Sequence, residues 1–322
     1  MGSIQLVMAC DAPELALLKE GTTRLGELEI EVQHVHPRER HKKMAQSLAF
    51  DICEYSLVDY LNSFDRGLSF TAVPVFPHRV FRHRDIWVSS ASGVTEPKQL
   101  NGARIGIQSW VNTAGVWQRG ILQQDYGVDL KSIEWVRESP EEGEGKQGPN
   151  WAHITQKPRD RVLEQMLASG DIAAMMLPRP PELHPEEMQR IGRLFPNYVA
   201  DEQGYYARTR LFPIMHVMVI KNALLSSHPG SGKMVSHWVQ AALDAFVERQ
   251  RSTNGKSILW KELRWSEQQS HLGPHAWPAG VEANRKELEA LITYALQQGI
   301  INRRVSPEEL FQFNGKPLME SA

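Results

Sequence analysis

The chain has 322 residues, 41% of them hydrophobic and 23% charged, with a formal net charge of −2. That length exceeds what one compact core usually holds and predicts two domains, while the composition excludes global disorder and collagen-like structure. Basic residues are scattered among acidic ones rather than gathered into a block, which argues against nucleic acid as a partner.

Strand-like apolar runs alternate with helical periodicity along the first part of the chain. The order is a strand over Ile4–Ala9, a helix over Pro13–Glu20, a strand over Leu28–Val35, a helix over Pro37–Ala49, a strand over Phe50–Tyr55, a helix over Leu57–Arg66 and a strand over Phe70–Val75. A strand-like run then covers Asp85–Val88. A second set begins with a strand at Ala103–Ile107, a helix over Asn112–Tyr126, a strand over Ile133–Val136, a helix over Arg159–Ser169 and a strand over Asp171–Met176. This rhythm predicts an α/β fold with two sheets. Glu138–Pro149 is polar, rich in Gly and Pro and without period, and reads as a mobile surface loop. Ile214–Ile220 is a further apolar strand, and the remainder reads as helical over Lys233–Arg249, Val281–Gln298 and Pro307–Phe313.

Cys10 and Cys53 lie in strand-like segments without the spacing of a metal knuckle or a redox pair, so both read as buried thiols in a reducing compartment. No positive region precedes Leu6–Cys10, and no apolar run approaches the roughly 20 residues needed to cross a bilayer. A cytoplasmic protein that neither spans nor binds membrane is the expectation.

Tempting motifs fail on spacing. Gly230-Ser231-Gly232-Lys233 looks like the end of a phosphate-binding loop, but Ser227 stands where its first Gly is required and Met234 where Ser or Thr would hold magnesium. His36, Pro37 and His41 lack the spacing and the intervening Glu of a zinc protease helix. There is neither a Gly-x-Ser-x-Gly elbow nor a dinucleotide-binding glycine turn.

Polar groups at strand ends are what remains, where open α/β sheets place ligands. Phe76–His83 (FPHRVFRH) brings Arg79 and Arg82, donors matched to a carboxylate, together with His78, His83, Phe76 and Phe81, and predicts an acid-binding pocket. The plain alternative is solvated arginines on core aromatics. Asp51–Ser56 ends in Glu54 and Tyr55; burial at that depth would raise the Glu54 pKa and suit it to proton transfer, unless an arginine pairs with it structurally. Gln108–Ala114 passes from strand to helix, where free N–H groups with Ser109, Asn112 and Thr113 attract anions or simply cap the helix. Trp117 and Arg119 on that helix read as core. His216, entering the strand that returns from the second set of elements, is either a cleft residue or a hydrogen-bonded core histidine.

Six separated segments carry a resemblance. Asp51–Leu61 (DICEYSLVDYL), Val75–His83 (VFPHRVFRH), Ala114–Leu122 (AGVWQRGIL), Leu194–Asn197 (LFPN), Phe212–His216 (FPIMH) and Gly280–Lys286 (GVEANRK) resemble, in the same order, bacterial 4,5-dihydroxyphthalate decarboxylases. His78 departs from the small residue expected there, Tyr55 from a Met, and Gln108–Asn112 from that family's version of the turn, so the substrate can differ while the reaction stays the same.

The resemblance implies a two-lobed fold of the type 2 periplasmic-binding-protein kind, with two crossovers and ligand in the cleft. Lobe 1 would comprise 1–102 and 213–322, and lobe 2 would comprise 103–212. It implies a carboxy-lyase that protonates the ring carbon of a hydroxylated phthalate- or benzoate-like acid and releases CO2 without an organic cofactor. His216 and Glu54 would handle the proton, with His83 in reserve. Arg79 and Arg82 would clamp carboxylate with Asn112 and Thr113, and Trp110, Tyr55 and Phe81 would pack the ring. A divalent metal held by a Glu/His cluster is the secondary arrangement. A homo-oligomer is compatible with the sequence. The rival readings are a non-catalytic solute-binding protein for an aromatic carboxylate and a related lyase or dehydratase of the same fold.

Overall fold

The computed structural model describes residues 3–138 and 148–318. Most of the Glu138–Pro149 segment read as a loop, residues 139–147, lies outside them. In chain order the main strands are Ile4–Cys10 (β1), Gly21–Leu25 (β2), Leu28–His34 (β3), Ile52–Ser56 (β4), Phe70–Val73 (β5), Ile86–Ser89 (β6), Arg104–Ile107 (β7), Glu134–Arg137 (β8), His153–Gln156 (β9), Ala174–Met176 (β10), Ile191–Arg193 (β11) and His216–Lys221 (β12). The helices used below are Pro37–Ser47 (α1), Leu57–Phe64 (α2) and Thr113–Tyr126 (α3).

The chain divides into two compact units. One comprises Met1–Val80, Ile214–Glu289 and Val305–Ala322, and the other Phe81–Pro213 and Ala290–Arg304. The first holds a mixed sheet in the order β2-β3-β1-β4-β12-β5. In it β1 runs parallel to β3 and β4, while β12 lies antiparallel between β4 and β5. Every residue of β4 is buried, as an interior strand covered on both faces requires. One face carries Met8, Ile30, Ile52, Met218 and Ile220 into a core shared with Val235, Val239 and Leu243 of the long helix Ser231–Thr253. The second unit holds a sheet in the order β11-β6-β10-β7-β8-β9, parallel from β10 to β9, with β6 antiparallel to both its neighbours.

Local chemistry explains the elements nearest the site. Pro37 opens α1, where its missing N–H costs nothing, and Leu48 ends it at a φ of 50°, leaving Arg40 and Met44 on the buried face. Ser56 closes β4 and caps α2 by accepting the Asp59 N–H at 3.2 Å. No described helix is long and apolar enough to cross a membrane.

The unit boundaries differ from those drawn at 102/103 and 212/213. Residues 81–102 fall in the second unit because β6 pairs with β10 and β11. Residues 290–304 join it too: the Trp110 Nε1–H donates to the Gln298 carbonyl, and Arg119 Nε–H donates to the Gln298 side chain. The helix expected over Pro13–Glu20 is only a 3-10 turn, Pro13–Leu15, followed by β2, which pairs antiparallel with β3 through a turn at Gly26, φ +63°. The helix expected over Pro307–Phe313 is likewise a 3-10 turn, Glu308–Phe311, running into a short strand paired with Lys316–Pro317.

Candidate active site

In the first unit, a set of buried ionisable groups forms where β4 meets β12. Their register places His216 opposite Ser56 and Met218 opposite Glu54, so Glu54 and His216 are diagonal neighbours across an antiparallel pair. Glu54 Oε1 lies 2.5 Å from His216 Nδ1 and 3.0 Å from Arg40 Nη2 of α1. Its other oxygen accepts the backbone N–H groups of Asp11 and Ala12 at 2.8 and 3.0 Å, where β1 ends. Arg40 is held in turn, donating Nε–H to the Glu54 carbonyl and Nη1–H to that of Val35, both at 2.6 Å.

These contacts set the charges. Burial alone would raise the Glu54 carboxyl, but the Arg40 guanidinium and then His216 outweigh it, holding Glu54 well below the usual carboxylate range. The raised value expected from the sequence is therefore corrected: the arginine partner is present, and it comes from α1, the helix that immediately precedes β4. Burial lowers His216 to about 4 against the pull of Glu54, with His78 and Arg40 also opposing its protonation. Near neutral pH the pair is a carboxylate and a neutral imidazole, so His216 Nδ1–H donates to Glu54 and Nε2 carries the lone pair. A buried acid that fixes the tautomer of a proton-transferring histidine is the arrangement that orients a general base. The His216 side chain keeps 15% of its surface exposed, against 1% for Glu54, so the histidine is the one a ligand can reach.

Two further imidazoles flank His216. The His78 ring lies 5.2 Å away, and the His41 ring 5.0 Å away at 85°. His41 also meets Tyr55 edge-on at 5.3 Å, and burial, then His216, holds it neutral. The metal arrangement does not fit Glu54, because Arg40, His216 and two backbone N–H groups use its roughly four lone-pair sites. Cys10 and Cys53 are free buried thiols, the first pushed up to about 12 by burial and then Glu54.

Of the residues chosen from sequence, Glu54, His216 and Tyr55 come together here. Arg79 is buried in the same unit, but its guanidinium is bonded to the buried Asn284 side chain and stands 3.6 Å from Glu287. Arg82, in the second unit, pairs with Asp85 at 2.8 Å. Phe81 stacks on Phe212 at 5.0 Å, and Trp110 is fully buried beneath the Arg119 guanidinium, 4.1 Å away. Asn112 caps α3 by accepting the Gly115 N–H at 2.7 Å while donating to the Ser109 carbonyl, and Thr113 is buried. These side chains are occupied by packing, pairing or capping. Arg40 and Glu14 are not among the residues the sequence singles out, and His41 enters there only in the zinc motif that its spacing excludes. The Pro37 helix start was legible, but no local signal ties position 40 to position 54.

His83 is enclosed by Phe195, Tyr205 and Tyr126 at 5.0, 5.2 and 6.0 Å, and neither ring nitrogen has a hydrogen-bond partner among the described residues. Burial, then Arg208, lowers it to about 3. An unfolded histidine protonates near 6.5, so between that pH and the folded value the unfolded state binds the extra proton and stability falls with acid. Each such group contributes about 1.4 kcal/mol per pH unit. The wild-type protein is expected to lose stability below pH 6.5. His83→Phe, which fills the aromatic site without stranded nitrogens, should gain on wild type as pH falls from 6.5 to 4.5. Urea titrations at several pH values read this out, and an unchanged acid slope would contradict it.

Comparison with known proteins agrees with this architecture. The chain is 30% identical to a 4,5-dihydroxyphthalate decarboxylase of Comamonas testosteroni over 283 residues, 85% of this chain and 86% of that one. The chain belongs to the 4,5-dihydroxyphthalate decarboxylase family. A second family member, from Pseudomonas putida, is 34% identical over 161 residues, 48% of this chain and 61% of that one. No protein-family model matches. Among solved structures, the alkanesulfonate-binding protein SsuA of Xanthomonas axonopodis pv. citri has a TM-score of 0.51 at 14% identity, covering 95% of this chain and 96% of its own. The periplasmic aliphatic sulphonate binding protein SsuA of Escherichia coli also has a TM-score of 0.51, at 13% identity, covering 99% and 96%. These likenesses place this decarboxylase-family chain on the type 2 periplasmic-binding-protein fold that its resemblance implied.

Proposed function

We propose that this protein is a decarboxylase of a hydroxylated aromatic carboxylic acid, with His216 as the proton carrier and Glu54 as the residue that positions it. The observation that carries the reading is the Glu54–His216 pair, locked by Arg40 and two backbone N–H groups on adjacent strands. Family membership supports the reaction class. The carboxylate of an arriving substrate raises the proton affinity of the imidazole beside it, so His216 binds a proton at Nε2 as the anion binds. That proton passes to the ring carbon bearing the carboxylate, assisted by electron donation from an ortho or para hydroxyl. The ring–carboxyl bond then breaks, its electron pair returns to the ring, and CO2 leaves. No step requires an organic cofactor. Arg79 and Arg82 are not assigned the carboxylate clamp, because each already faces an acidic side chain.

The test is CO2 release from a panel of hydroxybenzoates and hydroxyphthalates, with and without EDTA, and with product masses recorded. Turnover that survives chelation supports the reading. Thermal stabilisation by the acids without CO2 would replace it with a solute-binding role, and water loss in the product with a dehydratase.

A further inference from the structure

The first unit contains a second carboxylate–imidazole pair beside the first. Glu14, on the 3-10 turn after β1, is 2% exposed, and both of its oxygens lie 3.3 Å from His78 Nδ1. His78 keeps 22% of its side-chain surface. The backbone fixes the two histidines side by side: the His78 carbonyl accepts the N–H groups of Met215 at 2.9 Å and His216 at 3.4 Å, next to the bridge between Arg79 and Ile214. Their rings are tilted by 39°. Each imidazole presents Nδ1 to a buried carboxylate, and neither Nε2 is hydrogen-bonded to another described residue. The groups packed around the pair are Glu14, Glu54, Arg40 and His41.

We propose that His78, oriented by Glu14, is a second proton-transfer residue that takes the proton of a substrate ring hydroxyl while His216 serves the ring carbon. This rests on the decarboxylase reading of the same site. A buried carboxylate at Nδ1 fixes His78 with its basic Nε2 toward the ligand, the role a general base requires. The hydroxyl O–H bond breaks as the Nε2–H bond forms. The phenolate pushes electrons toward the carbon that accepts the His216 proton, the C–C bond breaks, and the restored phenolate recovers its proton from His78 after CO2 departs. One proton is consumed overall, at carbon. Two imidazoles with ring centres about 5 Å apart suit an acceptor and a donor acting on one aromatic ring.

The probe is 4-nitrocatechol, whose ionisation is visible by absorbance, titrated into wild type, His78→Gln and Glu14→Gln, with CO2 release measured on the same proteins. Wild type is expected to bind the catechol as its anion at a pH where free catechol is mostly neutral. His78→Gln should bind it in neutral form and lose at least tenfold in kcat/KM, and Glu14→Gln should fall between. A wild-type spectral shift absent from His78→Gln, without CO2 from any substrate, would sink the decarboxylase reading and leave the second pair standing. A variant that ionises the catechol as wild type does, or CO2 release equal in both, would overturn His78 as a proton acceptor, as would a wild type that fails to bind the probe.

Discussion

Replacing His216 with glutamine is expected to lower kcat for CO2 release by about 10² to 10⁴-fold, the usual worth of a positioned general acid or base. Glutamine keeps a polar group near Glu54 but cannot carry a proton to carbon. The fall should therefore appear in kcat, with KM for the acid changed much less. Glu54→Gln is expected to give a smaller fall in the same parameter, because it removes the group that fixes the tautomer while leaving the imidazole in place. Steady-state CO2 assays at several pH values, alongside urea titrations to confirm folding, would separate the two roles. A His216→Gln protein that folds and turns over within threefold of wild type would remove His216 from the chemistry.

The largest effect on stability is expected at Arg40. It is fully buried, and it supplies the cation against which the equally buried Glu54 carboxylate is held. Arg40→Met would leave that carboxylate with His216 and two backbone N–H groups but no countercharge, a change of about 3–5 kcal/mol for a broken buried pair. The loss should be larger above pH 5, where Glu54 is charged in both states, and smaller in acid. The sign follows from the depressed folded pKa: the favourable contribution is present above the ordinary carboxylate range and is lost as pH falls through the folded value. The double variant Arg40→Met, Glu54→Gln should recover part of the loss, since it removes both charges rather than stranding one. Urea midpoints for the four proteins of this cycle provide the measurement. A cost under 1 kcal/mol for Arg40→Met alone would mean that Arg40 is not what holds Glu54 ionised.

Much of the α/β framework could be read directly, because it depends on local periodicity. β1, β3, β4, β5, β7 and β12 coincide with apolar runs, and α1, α2 and α3 with helical patterns bounded by Pro37, Ser56 and Asn112. Glu54 and His216 could be chosen as site residues because polar groups at the ends of buried strands are costly unless they have partners or tasks. The sequence was silent on the partners themselves. Arg40 reaches Glu54 across 14 residues from the helix that precedes β4, Glu14 reaches His78 across 64 residues, and the exchange of 81–102 and 290–304 into the second unit depends on pairings with β10, β11, Trp110 and Arg119. Arginine and histidine look alike in a sequence whether they face a ligand, a buried acid or a ring. Thus Arg79, Arg82 and His83 read as binding groups, yet the fold commits Arg79 and Arg82 to Glu287 and Asp85 and shuts His83 in an aromatic box. Hydrophobic period and capping chemistry are local and determined the elements; charge pairing is set by which distant elements the core brings together, so only the tertiary structure decided which ionisable groups are left for chemistry.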